Sequence, residues 1–243
     1  MNRKILISLS IIGVVAAFAI GGTIAYFSDV EESRGNTLAA GSIDLKIDLQ
    51  CEDGVCGFPL RDLSPDYPHF FSRCDIKPGD TGEVTISWHL LGNNAWGRIR
   101  LADIYDWEYG CTDSESREAG DTTCDTPGLG LGELSQYLKF TLWMDEGSVA
   151  GWQCPGNKPC SADLQEGDNK LNGIETVLAE KTAQELLEGV ILPGELQGST
   201  TYYLGMKWEV PSSENDDIIQ SDSLSAKIIM EVVQSKNNPS PWQ

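Results

Sequence analysis

Apolar and polar residues alternate with a period of two along most of the chain. From Ser42 to Leu49, Ile43, Leu45, Ile47 and Leu49 alternate with Asp44, Lys46 and Asp48. Val84, Ile86, Trp88 and Leu90 alternate with Thr85, Ser87 and His89, and Ile99 and Leu101 with Arg98 and Arg100. Leu138, Phe140, Leu142 and Met144 share one face, as do Tyr202, Leu204, Met206, Trp208 and Val210. Leu224, Ala226, Ile228, Met230 and Val232 form the last such set. Successive side chains of a strand point to opposite faces, so each run predicts a half-buried strand. One-sided alternation of this kind predicts antiparallel sheets packed face to face.

Only one segment reads as a helix. Val177 to Leu187, "VLAEKTAQELL", is rich in helix formers, spaces its apolar residues helically and is followed by Gly189. Lys77–Asp80, "KPGD", predicts a tight turn before a strand. Residues 105–133 and 145–173 read as long acidic loops, because neither has an apolar period of its own. The expected fold is all-β: an antiparallel jelly-roll-type β-sandwich with one short helix and long disulfide-stapled loops. Residues 41–235 hold this domain, and residues 236–243 read as a flexible tail.

The N-terminus breaks the pattern. Arg3 and Lys4 precede an uncharged run of 21 residues, Ile5 to Ala25. Its length leaves a membrane anchor and a cleaved export signal both open. Thr23-Ile24-Ala25 ends it with the small residue a signal peptidase requires, which favours a signal at 1–25 cut between Ala25 and Tyr26.

Charge narrows the function. The whole chain carries −20, and without residues 1–25 it holds 15 basic against 37 acidic residues. Such a surface repels nucleic acid and anionic lipid.

Seven cysteines in an exported chain read as disulfides. The close couples are Cys51/Cys56, Cys111/Cys124 and Cys154/Cys160. Cys74 is the expected spare, with Cys51–Cys74 and a spare Cys56 as the alternative. Zinc is disfavoured, since there is no C-x2-C pair and only His69 and His89 could assist.

Catalytic motifs are absent: the chain has no H-E-x-x-H, no G-x-S-x-G and no phosphate-cradling glycine loop. The acidic loops suggest one ligand, calcium. "EGDNKLNGIE" puts Asp168, Asn172 and Gly173 at the first, fifth and sixth places of a calcium loop. Lys170 and Ala179 occupy its third and twelfth places, which excludes an EF-hand. A looser oxygen site from Asp145, Glu146, Asp168 and Asn172 is the remaining expectation, and no other cofactor is required. Trp107, Trp152 and Trp242, in loops or the tail, offer surfaces for glycan stacking.

"GTIAYFSD" followed by "NTLAAGSIDLKI" resembles the signal junction of the TasA/camelysin family. "CDIKPGDTGEVTISWHL", "GELSQYLKFTLWMDEG", "YYLGMKWEVP" and "IIQSDSLSAKIIMEVVQSKNN" resemble an exported archaeal and bacterial branch, which includes biofilm-fibre and bundling-pilus subunits. The resemblance implies export, removal of the signal by a SipW-type peptidase and an extracellular, cell-surface or biofilm-matrix location. It implies jelly-roll subunits joined by donor-strand complementation, with the chain itself as its partner. Residues 26–40 would be the donor, and Tyr26, Phe27, Val30, Leu38, Ala39 and Ala40 would fill a neighbour's groove. Camelysin's name implies a protease, but no motif here places that activity on a residue, so the chain is read as non-enzymatic. The alternative is a monomeric cell-surface β-sandwich module that binds calcium or glycan.

Overall fold

The structure is a computed structural model. It describes residues 42–51, 57–64, 70–73, 75–115, 120–154, 160–212 and 216–242. The expected signal, its expected cleavage site at Ala25 and Tyr26, and the expected donor segment (Tyr26, Phe27, Val30, Leu38, Ala39 and Ala40) lie outside these residues, as do Cys56, Cys74 and His69.

Among the described residues, ten strands form two antiparallel sheets. They are β1 (Ile43–Cys51), β2 (Gly57–Arg61), β3 (Thr81–Gly92), β4 (Ala95–Glu108), β5 (Gly128–Leu129), β6 (Lys139–Met144), β7 (Thr176–Thr182), β8 (Val190–Ile191), β9 (Thr200–Glu209) and β10 (Asp222–Gln234). One sheet runs β2-β1-β3-β9-β6-β7; the other runs β10-β4-β5, with β8 also on β4. The chain passes repeatedly between them. This is the all-β sandwich that the alternation predicts. Val84, Ile86, Trp88 and Leu90 of β3, Leu204 and Met206 of β9, Leu142 of β6 and Ile99 and Leu101 of β4 meet in one core. The turn before β3 forms as read: Asp80 donates its amide to Lys77 O at 2.9 Å, and Gly79 takes a positive φ of 89°.

Three expectations change. The helix expected over Val177–Leu187 is the edge strand β7, followed by a 3₁₀ turn at Glu185–Leu187. Its helix-forming residues pair with β6, Thr141 opposite Glu180 and Leu142 opposite Ala179. An eleven-residue helix is marginal alone, so sheet pairing decides the outcome. The described α-helix is one turn, Leu134–Tyr137.

The second change is that the central strands are not half-exposed. Thr85, Ser87, Trp143, Thr201 and Tyr203 are buried on the face away from the core. The 145–175 segment covers that face: Tyr203 donates its hydroxyl to Cys154 O at 3.0 Å, and the Trp152 ring lies 6.0 Å from that of Tyr203.

The third is the tail, expected to be flexible. Trp96 Nε1 donates to Asn238 O at 3.1 Å, Arg98 lies over the Trp242 ring at 4.8 Å, and Ser240 is buried. The outer face of β4 anchors it.

Among the described residues, no helix is long and apolar enough to cross a membrane.

Candidate functional site

β4 begins as an ordinary core strand, with Ala95, Gly97, Ile99 and Leu101 inward. At Asp103, where φ is 48°, the register with β10 shifts. Ala102 pairs with Lys227 and Tyr105 with Ser225, so two residues on β4 oppose one on β10. Such a bulge inverts the parity of everything after it. Beyond it Tyr105 and Trp107 face solvent, while Asp106 and Glu108 turn inward and are buried. The loop reading of residues 105–108 is thereby corrected: they are strand, with acids on the inward face.

Around Glu108 the fold gathers more acids. Asp222, the first residue of β10, pairs with Glu108 across the sheet. Glu115 and Asp121 come from the segment closed by the Cys111–Cys124 disulfide, and Glu133 immediately precedes the single-turn helix. Glu108, Glu133 and Asp222 offer ligand atoms that all lie within 4.8 Å of one another, and so do Glu108, Glu115 and Asp121. Glu108 and Glu115 are fully buried and Asp121 is 8% exposed.

Hydrogen bonds hold one oxygen each of Glu108, Asp121, Glu133 and Asp222, and both oxygens of Glu115. Gly110 N donates to Glu108 Oε1 at 2.8 Å. Thr123 N donates to Asp121 Oδ1 at 2.7 Å, and Cys124 N to the same atom at 3.3 Å. The Thr123 hydroxyl lies 3.0 Å from Glu133 Oε1. Glu133 N and Leu134 N donate to Asp222 Oδ2 at 2.7 and 3.1 Å. Glu115 accepts from Thr112 N at 2.5 Å and from the Ser221 hydroxyl at 3.2 Å. Asp106, beside the cluster, accepts with both oxygens from Ser135 N at 3.1 Å and caps the helical turn.

The second oxygens differ. Glu108 Oε2, Asp121 Oδ2, Glu133 Oε2 and Asp222 Oδ1 are buried without a hydrogen-bond partner. Burial, reinforced by the Glu108, Glu133 and Asp106 carboxylates, raises Asp222 to about 7. Burial is also the largest cause holding Asp106, Glu108 and Glu133 above the usual carboxylate range.

The residues singled out in the other acidic loop sit differently. Asp145 is fully buried; it accepts Gly167 N at 3.0 Å and Asn169 N at 3.1 Å, with the Thr85 hydroxyl 3.2 Å away. Asp168 accepts from Lys170 N at 2.9 Å and Asn172 Nδ2 at 3.3 Å; Asn172 Oδ1 accepts from Gln165 Nε2 at 3.2 Å. Glu146 is half-buried. Asp145, Asp168 and Asn172 are thus held by amides of the loop itself, and Asp145, Glu146 and Asp168 are not among the acid sets whose ligand atoms converge. Their neighbours follow the same rule. Asp163 accepts from Ser148 N, Val149 N and Gln165 N, and Glu166 from Gln153 N and Cys154 N. Burial pushes Asp163 up, but these donors outweigh it and hold its carboxyl below the usual range.

Among the described residues, the cysteine and histidine donors Cys111, Cys124, Cys154, Cys160 and His89 are committed elsewhere. Cys111–Cys124 and Cys154–Cys160 are disulfides. His89 has Nε2 2.5 Å from Asp48 Oδ2 and Nδ1 3.0 Å from the Thr201 hydroxyl. A catalytic zinc site takes nitrogen or thiolate ligands and keeps a position open for water. The donor sets that converge among the described residues are carboxylate oxygens or disulfide sulfurs, and these do not fit it. Trp88 and Trp208 lie in the core, Trp152 packs on Tyr202 and Tyr203, and Trp107 is 39% exposed beside Tyr109.

Sequence reasoning missed the Glu108 cluster because its members are scattered from β4 to β10. The signal available was the alternation in Tyr105-Asp106-Trp107-Glu108, a strand pattern with aromatics and acids exchanged. No curated protein matches the chain. The family model of camelysin metallo-endopeptidase matches residues 1–124, half of the length, and the chain belongs to that family.

Proposed function

We propose that the mature chain is an exported structural subunit that assembles head to tail, its N-terminal segment Tyr26–Ala40 adding as a strand to the sheet of a neighbour. The observation that carries this reading is the edge at β10. β10 is thirteen residues long, and among the described residues its only strand partner is β4. Leu224, Ile228, Met230 and Val232 pack against the core yet stay half-buried.

Edge strands are usually blunted against unwanted pairing. The edges of the six-stranded sheet are: β2 is five residues long and contains Pro59, and β7 carries Glu180 and Lys181. β10 is long, and its charges are engaged. Glu231 accepts from Arg98 and Arg100, and Lys227 meets Asp103 at 2.6 Å. A strand added there would gain main-chain hydrogen bonds and cover apolar side chains. Because donor and acceptor are different surfaces, the contact is head to tail, and it propagates as a filament when its rotation does not close a ring. Membership of a family of exported proteins agrees with this.

The family's name also carries a metal-dependent peptidase activity. The donors that converge among the described residues do not suit a catalytic zinc, and hydrolysis of casein by pure protein would overturn a purely structural role. Electron microscopy tests the assembly. The chain starting at Tyr26 is expected to form fibres, and the chain starting at Gly41 to stay monomeric with unchanged circular dichroism. Fibres that persist in the shortened, folded chain would overturn the reading.

A further inference from the structure

We propose that the buried carboxylate cluster around Glu108 is a binding site for a hard divalent cation of the calcium class. Glu108, Glu115, Asp121, Glu133 and Asp222 supply its oxygens, independently of whether the chain polymerises.

Four facts carry this. The first is the half-satisfied pattern. Each of Glu108, Asp121, Glu133 and Asp222 has one oxygen fixed by an amide or a hydroxyl and the other buried without a partner. A buried acceptor left unpaired is costly, and an unpaired buried carboxylate more so. Four such oxygens in one cluster are a set of positioned ligands that lack an acid to bind. The fixed oxygens orient the others, as hydrogen bonds behind a metal's ligands do.

The second is charge. Among the described residues none of the five carboxylates has an ion pair with Lys, Arg or His, although other acids of the chain do. Buried like charges need a counter-charge or protons.

The third is donor type and spacing. Oxygen-only donors select calcium or magnesium over zinc and copper. Calcium holds ligands at about 2.3–2.6 Å, so opposite ligands stand about 4.6–5.2 Å apart. Within each of the two triads that share Glu108, the ligand atoms lie within 4.8 Å of one another. Magnesium prefers a tighter octahedron and keeps several waters, which a buried five-carboxylate cluster does not favour.

The fourth is clearance. A Cβ at Gly132 would stand 2.7 Å from Asp222 Oδ1, one of the unpaired oxygens, so the glycine leaves the space beside that buried oxygen free of a side chain.

Calorimetry with calcium chloride on EGTA-stripped full-length protein in 150 mM salt is the test, with melting temperature read in parallel. Wild type is expected to bind calcium, to prefer it at least tenfold over magnesium, and to melt higher when loaded. Glu108→Gln is expected to weaken binding at least tenfold. Glu133→Gln, at a less buried position, serves the same purpose if Glu108→Gln does not fold. Asp168→Asn, in the other acidic loop, is expected to leave affinity unchanged. No heat and no melting shift at millimolar calcium would overturn the proposal. So would binding that survives the folded cluster variants or is lost in Asp168→Asn.

Discussion

The two long acidic segments look alike in the sequence and solve the same problem in opposite ways. Both carry a disulfide, both bury carboxylates and both lie against a sheet. In residues 145–175 the acids are partners for their own backbone. Asp145 holds Gly167 and Asn169, Asp163 holds Ser148, Val149 and Gln165, Glu166 holds Gln153 and Cys154, and Glu175 holds Gly147 and Asn172. A loop with little regular structure must satisfy its amides somehow, and here buried carboxylates do it. Around Glu108 the pattern is different: Glu108, Asp121, Glu133 and Asp222 each spend one oxygen that way and leave the other unpaired, while Glu115 has both oxygens engaged. Acidity alone therefore does not distinguish an internal scaffold from a cation site; the count of satisfied oxygens does.

The largest expected effect lies in the scaffold. Asp145→Ala leaves two buried amides without an acceptor, and a cost of about 2–5 kcal/mol in chemical unfolding follows, the same with or without calcium. Glu133→Gln in the cluster removes repulsion instead. It is expected to leave chelator-treated protein as stable as wild type or slightly more so, while abolishing the stabilisation by calcium. Equal losses from both substitutions, independent of calcium, would erase the distinction.

A smaller effect is the sign of the pH dependence. Asp222 titrates at about 7 in the fold, against an ordinary 3.8. Above about pH 4 the unfolded chain has released this proton while the fold still holds it, so stability falls as pH rises towards 7. Chelator-treated protein is expected to melt higher at pH 5 than at pH 8, and Asp222→Asn to flatten that difference. Asp163 runs the other way. Its carboxyl is held below 3.8, so its contribution is intact at neutral pH and is lost only as pH falls beneath that value. Hydrogen exchange at Ser148 and Val149 should accelerate there, and unchanged exchange would count against the role given to Asp163.

Much of the sandwich was legible because apolar alternation reports directly on burial. The β1, β3, β9 and β10 runs became strands, and the cysteine couples at 111/124 and 154/160 became disulfides. The misses share a cause, which is that tertiary context reverses a local signal. Val177–Leu187 has helical composition, yet β6 offers it an edge. Tyr105–Glu108 is a strand whose inward residues are acids, because the bulge at Asp103 exchanges the faces. Separate from these, loop composition draws attention to Asp145 and Asp168, while the unpaired carboxylate oxygens lie where strand pairing joins Glu108 to Asp222. Nothing in the spacing of those two residues announces that they meet.

Hydrogen exchange measured with and without calcium on the same protein follows both segments at once. Calcium is expected to slow the amides that orient the cluster, those of Gly110, Thr123, Cys124, Glu133 and Leu134. It is expected to leave those of Gln153, Cys154, Gly167 and Asn169 unchanged. Protection gained in the second set and not in the first, or in neither, would contradict the account.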